Sequence, residues 1–131
     1  MGWGYYIELD GKFLHSGTGF KPAAKENTNN VAEYQALLDA MVWLYKNGHH
    51  EKQILFRGDS KLVVCQMNYE WGIKGGAYAP LAYRCRKALE TFKNASFEWI
   101  PREENEKADE LSKEMFTKRN VQVTDRSKLK A

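Results

Sequence analysis

The chain has 131 residues, 43% of them hydrophobic and 13% aromatic with four Trp, enough for one folded domain with its own core and too apolar for a disordered chain. A mean hydropathy of -0.65 with no long apolar run excludes a membrane-spanning helix. Residues 1–9 have neither the basic start nor the apolar stretch of a secretory leader, so a cytoplasmic protein is expected, and a net charge of +3 with a pI near 8.8 favours a polyanionic partner without reaching a strongly basic composition.

Residues 3–9 (WGYYIEL) are aromatic and β-branched, Asp10-Gly11 is a strong hairpin signal, and 12–19 (KFLHSGTG) read as the return strand. A loop with Pro22 covers 20–28. From Asn30, Val31, Tyr34, Leu37, Leu38, Met41, Leu44 and Tyr45 recur at helical spacing until Asn47-Gly48 ends the run. Gln53–Arg57 predicts a short buried strand closed by Gly58-Asp59-Ser60, followed by a helix over 60–69 and a loop over 72–76. Pro80 suits the first turn of a helix over 80–93, and 96–100 (SFEWI) predicts a strand that stops at Pro101. Residues 102–117 predict a charged amphipathic helix with Ala108, Leu111 and Met115 inward. Val121–Asp125 alternates like a strand, before a basic tail at 126–131. The order β-β-α-β-α-α-β-α-β predicts an α/β domain spanning 1–131, a mixed sheet flanked by helices.

Cys65 and Cys85 lie twenty residues apart with no C-x-x-C and no histidine nearby, which argues against a zinc site. Both fall in predicted helices. Buried free thiols are the default reading, and a disulfide between those helices stays open.

Three carboxylates stand out by location. Glu33 lies in the predicted first turn of the long helix, Asp59 ends a buried strand, and Asp109 sits on the inward stripe of the last helix. In open α/β sheets, ligands bind at the carboxyl ends of the strands. Carboxylates gathered there repel one another unless a cation neutralises them, and hard oxygen donors select Mg²⁺ or Mn²⁺. Two such ions about 4 Å apart can activate a water and stabilise the leaving oxygen in phosphodiester cleavage. Each residue also has a plain structural alternative. Asn30-Val-Ala-Glu33 fits a capping box, Asp59 fits an N-cap, and Asp109 fits a solvated charged face.

Taken together the motifs resemble type 1 ribonuclease H. T-N-N-V-A-E-Y-Q-A-L-L at 28–38, G-D-S at 58–60, W-I-P-R-E-E-N-E-K-A-D-E-L-S at 99–112 and the hairpin G-W-G-Y-Y-I-E-L-D-G-K at 2–12 match that family in kind and order. The resemblance implies a mixed five-stranded RNase H-like sheet and hydrolysis of the RNA strand of RNA/DNA hybrids. It makes Glu33, Asp59 and Asp109 ligands of two Mg²⁺ ions, with Mn²⁺ as an alternative. Thr28, Asn29 and Asn30 match positions that meet the hybrid's minor groove, where short polar side chains read 2′-hydroxyls.

The sequence departs from the family at its first strand, which carries the first acidic ligand and is not found before Gly2. That strand is central in the family, and leaving its slot empty would expose unpaired backbone on both sides. Val121–Asp125 has the length, the alternation and the terminal acid to fill it. A circular permutation follows as the expectation, with Asp125 as the fourth metal ligand. Arg126 would then stand at the rim as a phosphate contact, and Trp71, with Tyr69, would stack on the DNA strand. The histidine common in the family's catalytic loop is missing from Pro101–Asn105, where Glu103 or Glu104 could take part of its role. A monomeric endonuclease is the leading reading. The alternative is a catalytically weak or inactive module that binds RNA/DNA hybrid or double-stranded RNA.

Overall fold

A computed structural model describes residues 2–9, 12–21, 29–101 and 120–125. The elements are β1 (Gly2–Leu9), β2 (Lys12–Phe20), α1 (Asn29–Lys46), β3 (Gln53–Gly58), α2 (Lys61–Met67), α3 (Ala79–Leu89), β4 (Asn94–Trp99) and β5 (Asn120–Asp125). The hairpin, the long helix and the buried strand fall where the apolar periodicities put them. The α2 helix is shorter than predicted, and β4 begins two residues earlier than predicted. The predicted helix over 102–117 lies outside the described residues, as does the turn at Asp10-Gly11.

The strands form one sheet in the order β2-β1-β5-β3-β4. β1 and β2 pair antiparallel with Leu9 opposite Lys12, as a two-residue connection requires. β3 and β4 are parallel, from Gln53 opposite Asn94 to Gly58 opposite Trp99. Two glycines of β2 make room for β1 aromatics. A Cβ on Gly17 would lie 2.5 Å from the Tyr5 ring, and one on Gly19 would lie 2.3 Å from the Trp3 ring. Those rings therefore lie across the neighbouring strand, buried on the face that packs against α1.

The core joins Ile7 of β1, Tyr34, Leu37, Met41 and Leu44 of α1, Ile54 and Phe56 of β3, Met67 of α2 and Val123 of β5, all nearly without solvent exposure. α1 closes with a Schellman turn. Gly48, at φ 76°, donates to the carbonyl of Tyr45 (3.1 Å), and His49 donates to that of Leu44 (2.9 Å). Cys65 and Cys85 are both buried free thiols. Cys85 donates weakly to the carbonyl of Tyr34 (3.7 Å), and burial pushes its thiol far above the reactive range. No helix among the described residues is long and apolar enough to cross a membrane.

β5 occupies the central slot, but not in the expected direction. It runs parallel to β1, with Gly4 opposite Asn120 and Glu8 opposite Thr124. It runs antiparallel to β3, with Gly58 opposite Val121 and Ile54 opposite Asp125. A closed circular rotation needs residue 125 to approach the start of β1 through a short link. Instead Asp125 lies at the far end of β1 from Gly2. The expected slot is therefore filled, and the correction concerns direction: the strand points the other way from the one a circular permutation requires.

Candidate functional site

The strand β3 is apolar because sheet covers both its edges and helices cover one face, and it stops at Gly58-Asp59. Two bonds fix the peptides at that end. The Ile100 amide donates to the carbonyl of Gly58 (2.9 Å), and the Trp99 indole donates to the carbonyl of Asp59 (3.2 Å). The N-cap of α2 is Ser60, whose hydroxyl accepts from the amide of Val63 (3.3 Å). The capping role considered for Asp59 thus belongs to its neighbour, and Asp59 stands at the carboxyl end of the strand.

Glu33 belongs to the second turn of α1 rather than the first, because the helix already includes Asn29 and Asn30. Asn30 lies inside the helix, which removes the capping box as an account of Glu33. Only 5% of Glu33 is exposed. Together with Gly58 and Ser60, the two neighbours of Asp59, it lines a hollow otherwise walled mainly by Leu37, Phe56, Val63, Val64 and Phe97. Its free volume is about 10 Å³, room for one water-sized occupant. The helix and the strand end thus bring Glu33 and the Asp59 turn to one place. Asn29 and Asn30 lie four and three residues before Glu33, hence on its side of α1, at the helix start.

Asp125 does not join them. Asp125 stands opposite Ile54, five residues before Asp59, so it lies roughly 16 Å from the Asp59 position along the sheet at the usual rise per residue. The expectation that Asp125 completes the ligand set is corrected on this register. Asp109, Thr28 and Arg126 lie outside the described residues, as do Glu103 and Glu104. Trp71 is 45% exposed on the segment between α2 and α3, with Tyr69 more exposed still.

Two residues that matter to this region were not singled out from the sequence. Gln66 is buried in α2, and Arg86 reaches from α3 to the carbonyl of Trp71 (3.0 Å). One signal was available: Gln66 is a lone polar residue in the otherwise apolar run L-V-V-C-Q-M.

Helices laid on a mixed sheet, with acidic residues at the end of a buried strand, define an RNase H-like α/β domain. The chain belongs to the reverse transcriptase-like family, whose sequence profile matches residues 8–115. It is 37% identical over 92 residues to the bifunctional protein Rv2228c of Mycobacterium tuberculosis, covering 70% of this chain and 25% of that relative. The chain thus spans about a quarter of the length of this mycobacterial relative. Solved structures share the fold, two of them RNase H1 proteins. The RNase H1 of the halophilic archaeon Halobacterium salinarum NRC-1 superposes with a TM-score of 0.71 at 28% identity, covering 86% of this chain and 95% of that one. LC11-RNase H1 in complex with an RNA/DNA hybrid superposes with a TM-score of 0.72 at 27% identity, covering 87% and 95%.

Proposed function

We propose that this domain hydrolyses the RNA strand of RNA/DNA hybrids with the help of divalent metal ions, Glu33, Asp59 and Asp109 being their ligands. The observation that carries the reading is the convergence of buried Glu33 and the Gly58–Ser60 turn on one hollow at the carboxyl end of β3. The likeness to an RNase H1 held on a hybrid supports the substrate class.

The donors fit hard cations. Both described ligands are carboxylates, one of them buried, the kind of oxygen donor that such cations take, although the hollow beside them is mostly apolar and also lined by Arg57. Among the described residues no three acidic, histidine or cysteine side chains cluster, and Asp109, the third ligand in this reading, lies outside them. Bound Mg²⁺ or Mn²⁺ would supply the positive charge for in-line attack of water on the scissile phosphate. The chain's own part is to position. Burial fixes the Glu33 rotamer, and the bonds from Ile100 and Trp99 hold the Asp59 peptide. Thr28, Asn29 and Asn30 meet the 2′-hydroxyl side of the hybrid and Trp71 stacks on the DNA strand, whereas the rim position expected of Arg126 depended on Asp125 in the site and falls with it. The protein acts as a cytoplasmic monomer, which its solution mass checks.

A second reading is a hybrid-binding module without cleavage. The placement of Asp125 at the other end of β3 favours it, because three carboxylates hold two cations less firmly than four. Hydrolysis of a labelled RNA strand paired with DNA, in Mg²⁺ and in Mn²⁺, decides between the two. The leading reading expects metal-dependent cleavage that falls at least about a hundredfold in Glu33→Gln and in Asp59→Asn while both stay folded. Binding without cleavage in either metal selects the module. An unchanged rate in both variants sinks the assigned site.

A further inference from the structure

The segment that carries Trp71 is held in place by a side chain that the cleavage site does not use. Arg86, on α3, donates to the carbonyl of Gln66 through Nε (3.2 Å) and a terminal nitrogen (2.8 Å). The same terminal nitrogen donates to the carbonyl of Trp71 (3.0 Å). The guanidinium also lies over the ring of Tyr69, 4.5 Å from its centroid. Tyr69 is the one non-glycine residue with a positive φ among the described residues, at 61°. A bulky side chain keeps that conformation only where its surroundings hold it.

Gln66 grips the same segment from below. It is 1% exposed and donates to the carbonyl of Gly72 (3.0 Å) and the hydroxyl of Tyr78 (3.2 Å), while accepting from the Tyr34 hydroxyl (2.5 Å). The carbonyls of residues 71 and 72 are thus both claimed by side chains of flanking helices. Trp71 is left exposed on a fixed backbone, forming one wall of a cleft of about 460 Å³ lined also by Leu62, Gln66, Glu70, Lys74 and Tyr78.

We propose that Arg86 is a positioning residue for nucleic-acid binding: it clamps residues 69–72 so that Trp71 presents its indole without an ordering cost when the substrate arrives. This rests on the hybrid-binding reading given above. The clamp needs a planar fork. Only a guanidinium spans two carbonyls and covers a ring at once, and a lysine at the same place keeps the charge while losing that reach.

The test compares Arg86→Lys, Trp71→Ala and the double variant by two readouts. One is hydrogen exchange of the amides of residues 69–71, which are bonded to the carbonyls of Gln66 and Cys65. The other is equilibrium binding of an RNA/DNA hybrid in EDTA, where no cleavage occurs. Arg86→Lys should speed exchange at 69–71 by about tenfold or more while leaving α1 unchanged. It should weaken hybrid binding by about five- to twentyfold, as should Trp71→Ala, and the double variant should bind no worse than Trp71→Ala alone. Unchanged exchange at 69–71 overturns the clamp. Losses that multiply in the double variant overturn the route through Trp71. If Trp71→Ala binds hybrid normally while Arg86→Lys loosens the segment, the substrate role of Trp71 fails and the proposal fails with it, the clamp itself standing. Should Arg86→Lys not fold, Arg86→Gln, whose shorter side chain cannot reach both carbonyls and the Tyr69 ring, carries the same expectations.

Discussion

The indole of Trp3 lies where a side chain on Gly19 would have to go, its ring carbons 2.3 Å from the position a Cβ would take. The indole cannot swing aside cheaply, because its Nε1 donates to the Asp39 carboxylate at 2.8 Å and the ring is buried. Gly19→Ala is therefore an overpacking change, expected to cost about 1–3 kcal/mol. Urea unfolding measures it, with Gly75→Ala as the control, since nothing lies near that position. Equal stability of the two variants would mean that the indole does not cover Gly19.

The direction of β5 is open to a covalent test. In the register found, Glu8 lies opposite Thr124 and Gly4 opposite Asn120. Neighbouring strands bring paired Cα atoms within disulfide range, whereas a four-residue offset does not. Glu8→Cys with Thr124→Cys should cross-link under mild oxidation, and Glu8→Cys with Asn120→Cys should not. The reverse result would turn the strand around and bring Asp125 toward Asp59.

Tyr34 and Gln66 share a buried hydrogen bond that ties α1 to α2. Burial is the main cause of a Tyr34 hydroxyl that ionises only far above its ordinary range, so it acts as a donor at any working pH. Tyr34→Phe leaves one side of the Gln66 amide without this donor and should cost about 1–3 kcal/mol. The chemical denaturation midpoint should fall with an unchanged slope.

A pH dependence is expected from His15. Its ring stacks on Trp43 with centroids 4.3 Å apart, and its Nε2 lies 3.1 Å from the Tyr5 hydroxyl. Burial first, and Asp39 second, raise the pKa of that Tyr5 hydroxyl. Burial lowers the His15 pKa below its ordinary 6.5. The unfolded chain therefore takes up the proton first as pH falls. The contribution of His15 is full above about pH 6.5 and is lost as pH drops through the lowered folded value. His15→Gln should flatten the slope of melting temperature against pH between about 7 and 5. A slope identical in both proteins would assign it to other groups.

Local signals were sufficient for much of the frame. Alternation placed the hairpin, apolar spacing placed α1, and Asn47-Gly48 ended it, because each depends on residues only a few positions apart. The entry of 121–125 into the sheet could likewise be read, as an empty central slot is too costly to persist. Glu33 and Asp59 were legible by their positions at a helix start and a strand end. Gln66 and Arg86 were not, because their partners come from separate helices and a loop.

The sequence by itself therefore determined which of the described segments become strands and helices, that 121–125 must enter the sheet, and which family the motifs resemble. Only the tertiary structure decided which way that strand points. The physical reason is that a period of two reads the same in both directions: turning β5 about Val123 keeps residues 121, 123 and 125 on one face and Val123 in the core. Hydrophobic burial is blind to that reversal, whereas the position of Asp125 depends on it entirely. Backbone pairing with β1 and β3 makes the choice, and it sends the acid to the end of the sheet away from Asp59.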